Sequence, residues 1–251
     1  MHWETALITG GSTGIGAALA RELRNRGTKV VICARKKEQL EATAKELDAI
    51  PLVADMGDPN RAKEVVEEAH RTLGSLDLVI ANAGFGGNRP ATKLKPEHII
   101  SMYQTNVIGA CVTITAAIPF MLEQERGNLV GISSLAAYRG MPNAAAYSAS
   151  KAALSAFLES IRVDLFRTAI TVTDVRPGFI DTPLTKRNKF KMPFLMPADI
   201  AASKILRAIG RGRRVYAFPW QTWLGAKLLT ALPAFIYDRV GSRVRVEKSE
   251  S

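Results

Sequence analysis

Tyr147 and Lys151 stand four residues apart in Tyr147-Ser-Ala-Ser-Lys151, a spacing that puts both side chains on one face of a helix. A phenol with a pKa of about 10 is a poor acid or base at neutral pH. A lysine ammonium one turn away favours the phenolate and is expected to draw that pKa toward the working range. The pair therefore has the chemistry of a general acid/base. Composition alone supplies such a spacing in roughly half of chains this long. The surrounding elements must decide between a catalytic pair and a surface lysine beside a half-buried tyrosine.

Those elements alternate. Residues 5–9 form a short apolar strand, followed by the turn Gly10-Gly-Ser12-Thr13-Gly14-Ile15-Gly16. A helix follows with Ile15, Leu19 and Leu23 on one face and a stop at Gly27. Strand, glycine turn and helix in this order aim backbone N–H groups and a helix N-terminus at a pyrophosphate. Glycines let the chain come close where a Cβ would collide. Further strands are expected at 29–33, up to 55, at 76–80 and at 129–132, with helices at 15–26, 37–48 and 59–73. The alternation predicts an α/β fold with a doubly wound parallel sheet.

The second strand runs into Ala34-Arg35-Lys36. Roughly 20 residues after the glycines, an NAD site usually carries an acid for the ribose hydroxyls. An acid would repel a 2′-phosphate, whereas Arg35 can grip one bidentately, with Lys36 as a second cation. Cations are disfavoured at a helix N-terminus, which argues for a compensating anion. NADP(H) is thus favoured over NAD(H), the alternative being two solvated cations opening a helix. Asp55, ending the third strand, is placed to accept from an adenine amino group, with Met56 beside it. The fourth strand runs into Ala81-Asn82-Ala83-Gly84, whose small residues let the backbone pass beside the adenosine half of the cofactor.

Thr9-Gly-x-x-x-Gly-Ile-Gly16, Asn82-Ala83-Gly84 and Tyr147-x-x-x-Lys151, in this order, resemble the short-chain dehydrogenase/reductase superfamily across residues 4–185. The resemblance implies a Rossmann fold of about seven strands, in the order 3-2-1-4-5-6-7, with helices on both faces. It implies that Tyr147 moves a proton to or from a substrate oxygen, while Lys151 depresses its pKa and binds the nicotinamide ribose. Ser134, 13 residues before the tyrosine, would orient the carbonyl, and Asn106 would hold a water in a proton relay. The turn Pro177-Gly178 would border the nicotinamide, with the Ile180 main chain and the Thr182 hydroxyl on its carboxamide. The activity implied is hydride transfer between nicotinamide C4 and a carbonyl or secondary alcohol. Read alone, Ser134 is a turn former after a strand and Asn106 a helix residue with a local bond. A rival reading is an NADP(H)-binding scaffold or sensor without turnover, disfavoured because Tyr147 and Lys151 are both present.

The family pattern thins after Thr182. Residues 184–197 read as a variable substrate lid carrying Phe190, Met192, Phe194, Leu195 and Met196. This adaptable apolar set suits a hydrophobic substrate, or else packing on its own domain. A helix is expected from 197 to 209 and a strand at 215–218, after which the chain departs from the glycine-rich ending of many relatives. A dimer is therefore expected rather than a tetramer. The extension 219–251 carries Trp220, Trp223, several leucines and a basic tail with Arg239, Arg243, Arg245 and Lys248. Pro219, Lys227 and Pro233 argue against a spanning helix. Two placements stay open: an interfacial helix on an anionic membrane, or a helix packed beside the substrate site or across a dimer.

At 251 residues the chain is expected to form one Rossmann-type domain over 1–251. Its formal charge of +11 is uneven, with 14 Lys/Arg against 4 Asp/Glu from Lys186 onward and 20 against 19 before it. That asymmetry points to an anionic partner of the last quarter. Nucleic acid lacks a recognition motif and is set aside. No metal is expected, because His2, His70 and His98 have no ligand spacing, and no G-x-S-x-G elbow marks a serine hydrolase. Two cysteines, Cys33 and Cys111, fit a reducing cytosol. With no signal-peptide pattern, a cytoplasmic location is expected, peripheral contact with the inner face of a membrane being the variant.

Overall fold

Short strands that are apolar throughout need a sheet covered on both faces. In the computed structural model, which describes residues 2–187 and 192–242, they form one. The elements run β1 (Thr5–Thr9), α1 (Gly14–Arg24), β2 (Lys29–Ala34), α2 (Lys37–Leu47), β3 (Ile50–Val53), α3 (Pro59–Leu73) and β4 (Leu78–Ala81). They continue through α4 (Pro96–Tyr103), a π turn (Gln104–Gly109), α5 (Ala110–Glu123), β5 (Gly127–Ile132), α6 (Ala145–Asp164) and β6 (Ile170–Pro177). The chain then forms α7 (Ala198–Gly210), β7 (Val215–Phe218), α8 (Trp220–Ala231) and α9 (Ala234–Gly241). The seven long strands form one parallel sheet in the order 3-2-1-4-5-6-7, as the family resemblance implied.

Side chains alternate across each strand and divide the core in two. Ala6, Ile8, Ile80 and Val130 face α1, α2 and α7 through Leu19, Leu40 and Ile205. Leu7, Val31, Val79 and Leu129 face α3, α5 and α6 through Val65, Ile114 and Leu158. The run Pro96–Glu123 is long and apolar enough to cross a membrane by composition. It is a core run here, with Met102, Ile114, Ala117 and Met121 buried.

Two expectations change. The third strand stops at Val53, so Asp55 sits in the turn leading to α3 rather than on the strand. The C-terminal segment is two helices, because Pro233 forces Leu232 into an extended conformation with ψ of 134°. The ends of the expected lid are joined by a small parallel ladder of Ile180–Asp181 with Met196–Pro197. Phe190 of that segment, and Arg243, Arg245 and Lys248 of the tail, lie outside the described residues.

Candidate active site

The ends of β1 and β4 are laced together beneath the glycine turn. The Thr9 hydroxyl accepts from the N–H groups of Asn82 at 3.1 Å and Ala83 at 3.0 Å. The Asn82 amide donates to the carbonyls of Thr9 and Gly10, each at 3.0 Å. Asn82 is thus a brace for the turn as well as a lining residue. Thr9 is the residue whose structural part went unassigned from sequence, although it opens the motif. Gly10 and Gly14 take φ of 65° and 56°, conformations that suit glycine. A Cβ on Gly16 would lie 2.2 Å from the Gly10 carbonyl oxygen. Thr13 makes no side-chain capping bond, leaving the first-turn N–H groups of α1 at the cleft to an anion.

Beside this turn, Arg35 and Lys36 are exposed where β2 gives way to α2. Arg35 lies 3.6 Å from the Asp55 carboxylate, a loose exposed pair of the kind that contributes little to stability. Asp55 also accepts from the Gly57 N–H at 2.9 Å. The Met56 side chain is buried with its sulfur 3.4 Å from Cys33 Sγ, so only its peptide group is available to an adenine.

The opposite wall is built by α6, the end of β5 and the π turn. Small residues at the start of α6 (Ala145, Ala146, Ser148) let it approach β5, and Tyr147 and Lys151 share its cleft-facing side. Lys151 Nζ donates to the Ile132 carbonyl at 2.8 Å and lies 5.9 Å from the Tyr147 ring centre. The Ser134 side chain is hydrogen-bonded to Tyr147. Asn106 is fully buried on the π turn, a helix irregularity that recurs at functional sites. Its Oδ1 accepts from Phe85 N–H at 2.9 Å, while its Nδ2 donates to Phe85 C=O at 2.8 Å and to Ser150 Oγ at 3.2 Å. These bonds span 21 and 44 residues, so Asn106 is a long-range clamp and not a locally bonded helix residue.

The expected electrostatics also need correcting. Burial pushes the Tyr147 phenol above its ordinary pKa, and the Ser134 hydrogen bond only partly opposes this. Burial pulls Lys151 down to about 8, with Asp174 opposing the fall. The chain's own groups therefore hold a protonated phenol beside an ammonium of modest basicity. Such a pair can donate a proton at neutral pH.

One cleft of about 220 Å³ joins the two walls, bordered by Ser12, Thr13, Gly14, Ile15, Asn82 and Gly84 on one side. Ser134, Tyr147, Lys151, Pro177, Gly178, Ile180 and Thr182 line it too, with Phe85 and Leu184 among its apolar side chains. The Ile180 carbonyl accepts from Thr185 Oγ1 at 2.5 Å, and the hydroxyls of Thr182 and Thr185 are 3.2 Å apart. The cradle fits a dinucleotide: two glycines of positive φ in one turn, an uncapped helix start and a close glycine contact leave no side chain in a pyrophosphate's way. Among the described residues, no group of three or more His, Cys, Asp or Glu could hold a metal ion.

The segment left with two placements packs on the loop after Ser134, at residues 138–140. The Arg139 guanidinium donates to the Leu229 and Leu232 carbonyls at the end of α8, and the Tyr237 hydroxyl of α9 donates to the Gly140 carbonyl. Trp220, Leu224 and Leu228, one turn apart on α8, remain exposed together with Phe235 of α9.

This chain matches the short chain dehydrogenase family over residues 4–192. It is 42% identical to an uncharacterized oxidoreductase of Myxococcus xanthus over 98% of this chain and 99% of that protein. Among solved structures it is similar to a short chain dehydrogenase from Burkholderia cenocepacia in complex with NADP. That likeness has a TM-score of 0.77 and 30% identity over 85% of this chain and 95% of the other. It is also similar to an actinorhodin polyketide ketoreductase variant with NADPH, at a TM-score of 0.78 and 27% identity over 86% and 97% of the two chains.

Proposed function

The chain belongs to the short-chain dehydrogenase family, and from that premise we propose that it is an NADP(H)-dependent oxidoreductase acting on a lipophilic ketone or secondary alcohol. The observation that carries this reading is the meeting of Ser134, Tyr147 and Lys151 with the glycine turn around one cleft. A bound nicotinamide supplies or accepts the hydride. Tyr147, held protonated by burial, donates to the carbonyl oxygen, and the Ser134 hydroxyl beside it orients that oxygen. Lys151 contributes a positive charge next to the phenol. Asn106 fixes the Phe85 loop and, through Ser150, the first turn of α6. The apolar side chains of Phe85 and Leu184 at the cleft, with Phe194 and Leu195 exposed nearby in sequence, favour a substrate with little polarity.

The preference for NADP(H) rests on Arg35 and Lys36 standing where an acid would serve NAD(H). The loose Asp55 contact leaves Arg35 available to a 2′-phosphate. Hydrogen bonds to charged groups contribute about 1.5–3 kcal/mol. Arg35→Ala is therefore expected to weaken NADPH binding about tenfold or more while leaving NADH within about twofold. Calorimetric titration with both nucleotides tests this. Equal affinity of the unaltered protein for NADH would overturn the NADP(H) preference, and binding of neither would overturn the enzymatic reading.

A further inference from the structure

Beneath the Tyr147–Lys151 pair, β6 carries a buried charge that hydride transfer does not itself require. Asp174 is 1% exposed. Its Oδ1 accepts from the Ser133 hydroxyl at 2.6 Å and its Oδ2 from Arg176 Nε at 2.7 Å. The Ser133 N–H is held by the Val175 carbonyl at 2.8 Å, so the residue before Ser134 is fixed to β6 by main chain and side chain alike. Arg176 reaches the other way. Its guanidinium lies 4.7 Å from the Tyr138 ring centre, and it is hydrogen-bonded to that residue. Tyr138 in turn accepts from Trp223 Nε1 at 3.2 Å and carries Lys227 over its ring at 4.9 Å. An unbroken series of contacts thus runs from the end of β5 to α8.

A carboxylate this deep carries a large desolvation cost, which its partners must offset. We propose that Asp174 and Arg176 are a positioning pair for the Tyr147–Lys151 centre: Asp174 fixes Ser133 and supplies the negative charge that balances the buried Lys151 ammonium, while Arg176 ties the same carboxylate to Tyr138 and helix α8. The groups against Lys151 fit this role. Tyr147 shares its helix, the Ile132 carbonyl takes its hydrogen bond from β5, and Asp174 on β6 is the charge whose field favours the ammonium. Asn106 and Ser150 are neutral.

Asp174→Asn keeps the side chain's shape and removes its charge, but leaves the partly buried Arg176 without a counter-charge. The double variant D174N/R176Q removes the unpaired Arg176 charge as well and separates the loss of Asp174's charge at Lys151 from simple misfolding. The direct readout is acetylation of Lys151 by acetic anhydride against pH, followed by peptide mass spectrometry on the full chain, with exposed Lys45 as internal reference. In both variants the Lys151 profile is expected to move down by about one pH unit, raising its labelling at pH 7 several-fold, with Lys45 unchanged. Asp174→Glu, which retains the charge, is expected to keep the original profile. Identical Lys151 profiles in the double variant and the unaltered protein overturn the proposal.

The consequence for turnover rests on the hydride-transfer reading. With NADPH and acetophenone as probe, kcat of the double variant is expected to fall about tenfold with KM within about twofold. A shifted Lys151 profile in a protein that reduces no ketone would sink the enzymatic reading and leave the pair intact. An unshifted profile in an active enzyme would do the reverse.

Discussion

Tyr147→Phe is expected to lower ketone turnover by about a hundredfold or more, while the protein stays folded and binds NADPH with little change. The substitution removes one oxygen from a ring whose packing is otherwise kept. A Cβ on Gly86 would lie 3.1 Å from that ring, so the loop above it already rests against carbon and not against the hydroxyl. What is lost is the proton donor and its hydrogen bond with Ser134. Stopped-flow or steady-state NADPH consumption, set beside calorimetric NADPH binding, separates the two effects. Retained turnover would remove Tyr147 from the chemistry, whereas lost turnover together with lost binding would point to a structural role.

The same geometry fixes a pH dependence. Burial lowers Lys151 to about 8, so the ammonium is present below that value and is lost as pH rises through it. Tyr147, shifted the opposite way by burial, stays protonated across the same range. Reduction is therefore expected to hold from neutral pH up to about 8 and to decline above it, read as kcat against pH. A bound nucleotide diphosphate would raise Lys151 and carry the decline to higher pH, never lower.

Tyr147, Lys151 and the glycine turn were legible because their chemistry lies in spacings of six residues or fewer. Helix period and strand alternation follow from short-range sterics, so the doubly wound sheet was legible as well. The sequence order of the strands was visible; their order across the sheet came through resemblance to a family. The proton balance of the site was not legible. The spacing makes Lys151 a neighbour that should acidify Tyr147, but burial raises the phenol and the one opposing pull comes from Ser134. Lys151 itself is lowered by burial among groups from distant strands such as Ile132 and Asp174. Asn106 gave the same lesson, since its partners Phe85 and Ser150 are brought to it only by the fold. Met56 shows the same limit: its place beside Asp55 is visible in the sequence, but the burial of its side chain in the turn before α3 is set by the fold.

Gly16→Ala tests whether the glycine turn is a nucleotide cradle or merely a tight connection. The added Cβ would stand 2.2 Å from the Gly10 carbonyl oxygen and 2.6 Å from the Asn82 amide nitrogen, the two groups that lace β1 to β4. The Gly10 carbonyl is main chain and cannot rotate aside as a flexible side chain would. Relief has to come from moving the start of α1 away from β1, which spreads the N–H groups that a pyrophosphate would meet. Overpacking of this kind costs about 1–3 kcal/mol, and where it falls on the binding geometry it corresponds to roughly a tenfold to hundredfold loss of affinity. NADPH affinity is expected to fall by that factor, with a lower Tm as the accompanying sign of the broken Asn82 brace. Gly87→Ala is the control, because a Cβ there would meet nothing within 4 Å. Unchanged NADPH affinity in Gly16→Ala, with Tm lowered, would assign the turn to stability alone and shift the anion site elsewhere along the cleft.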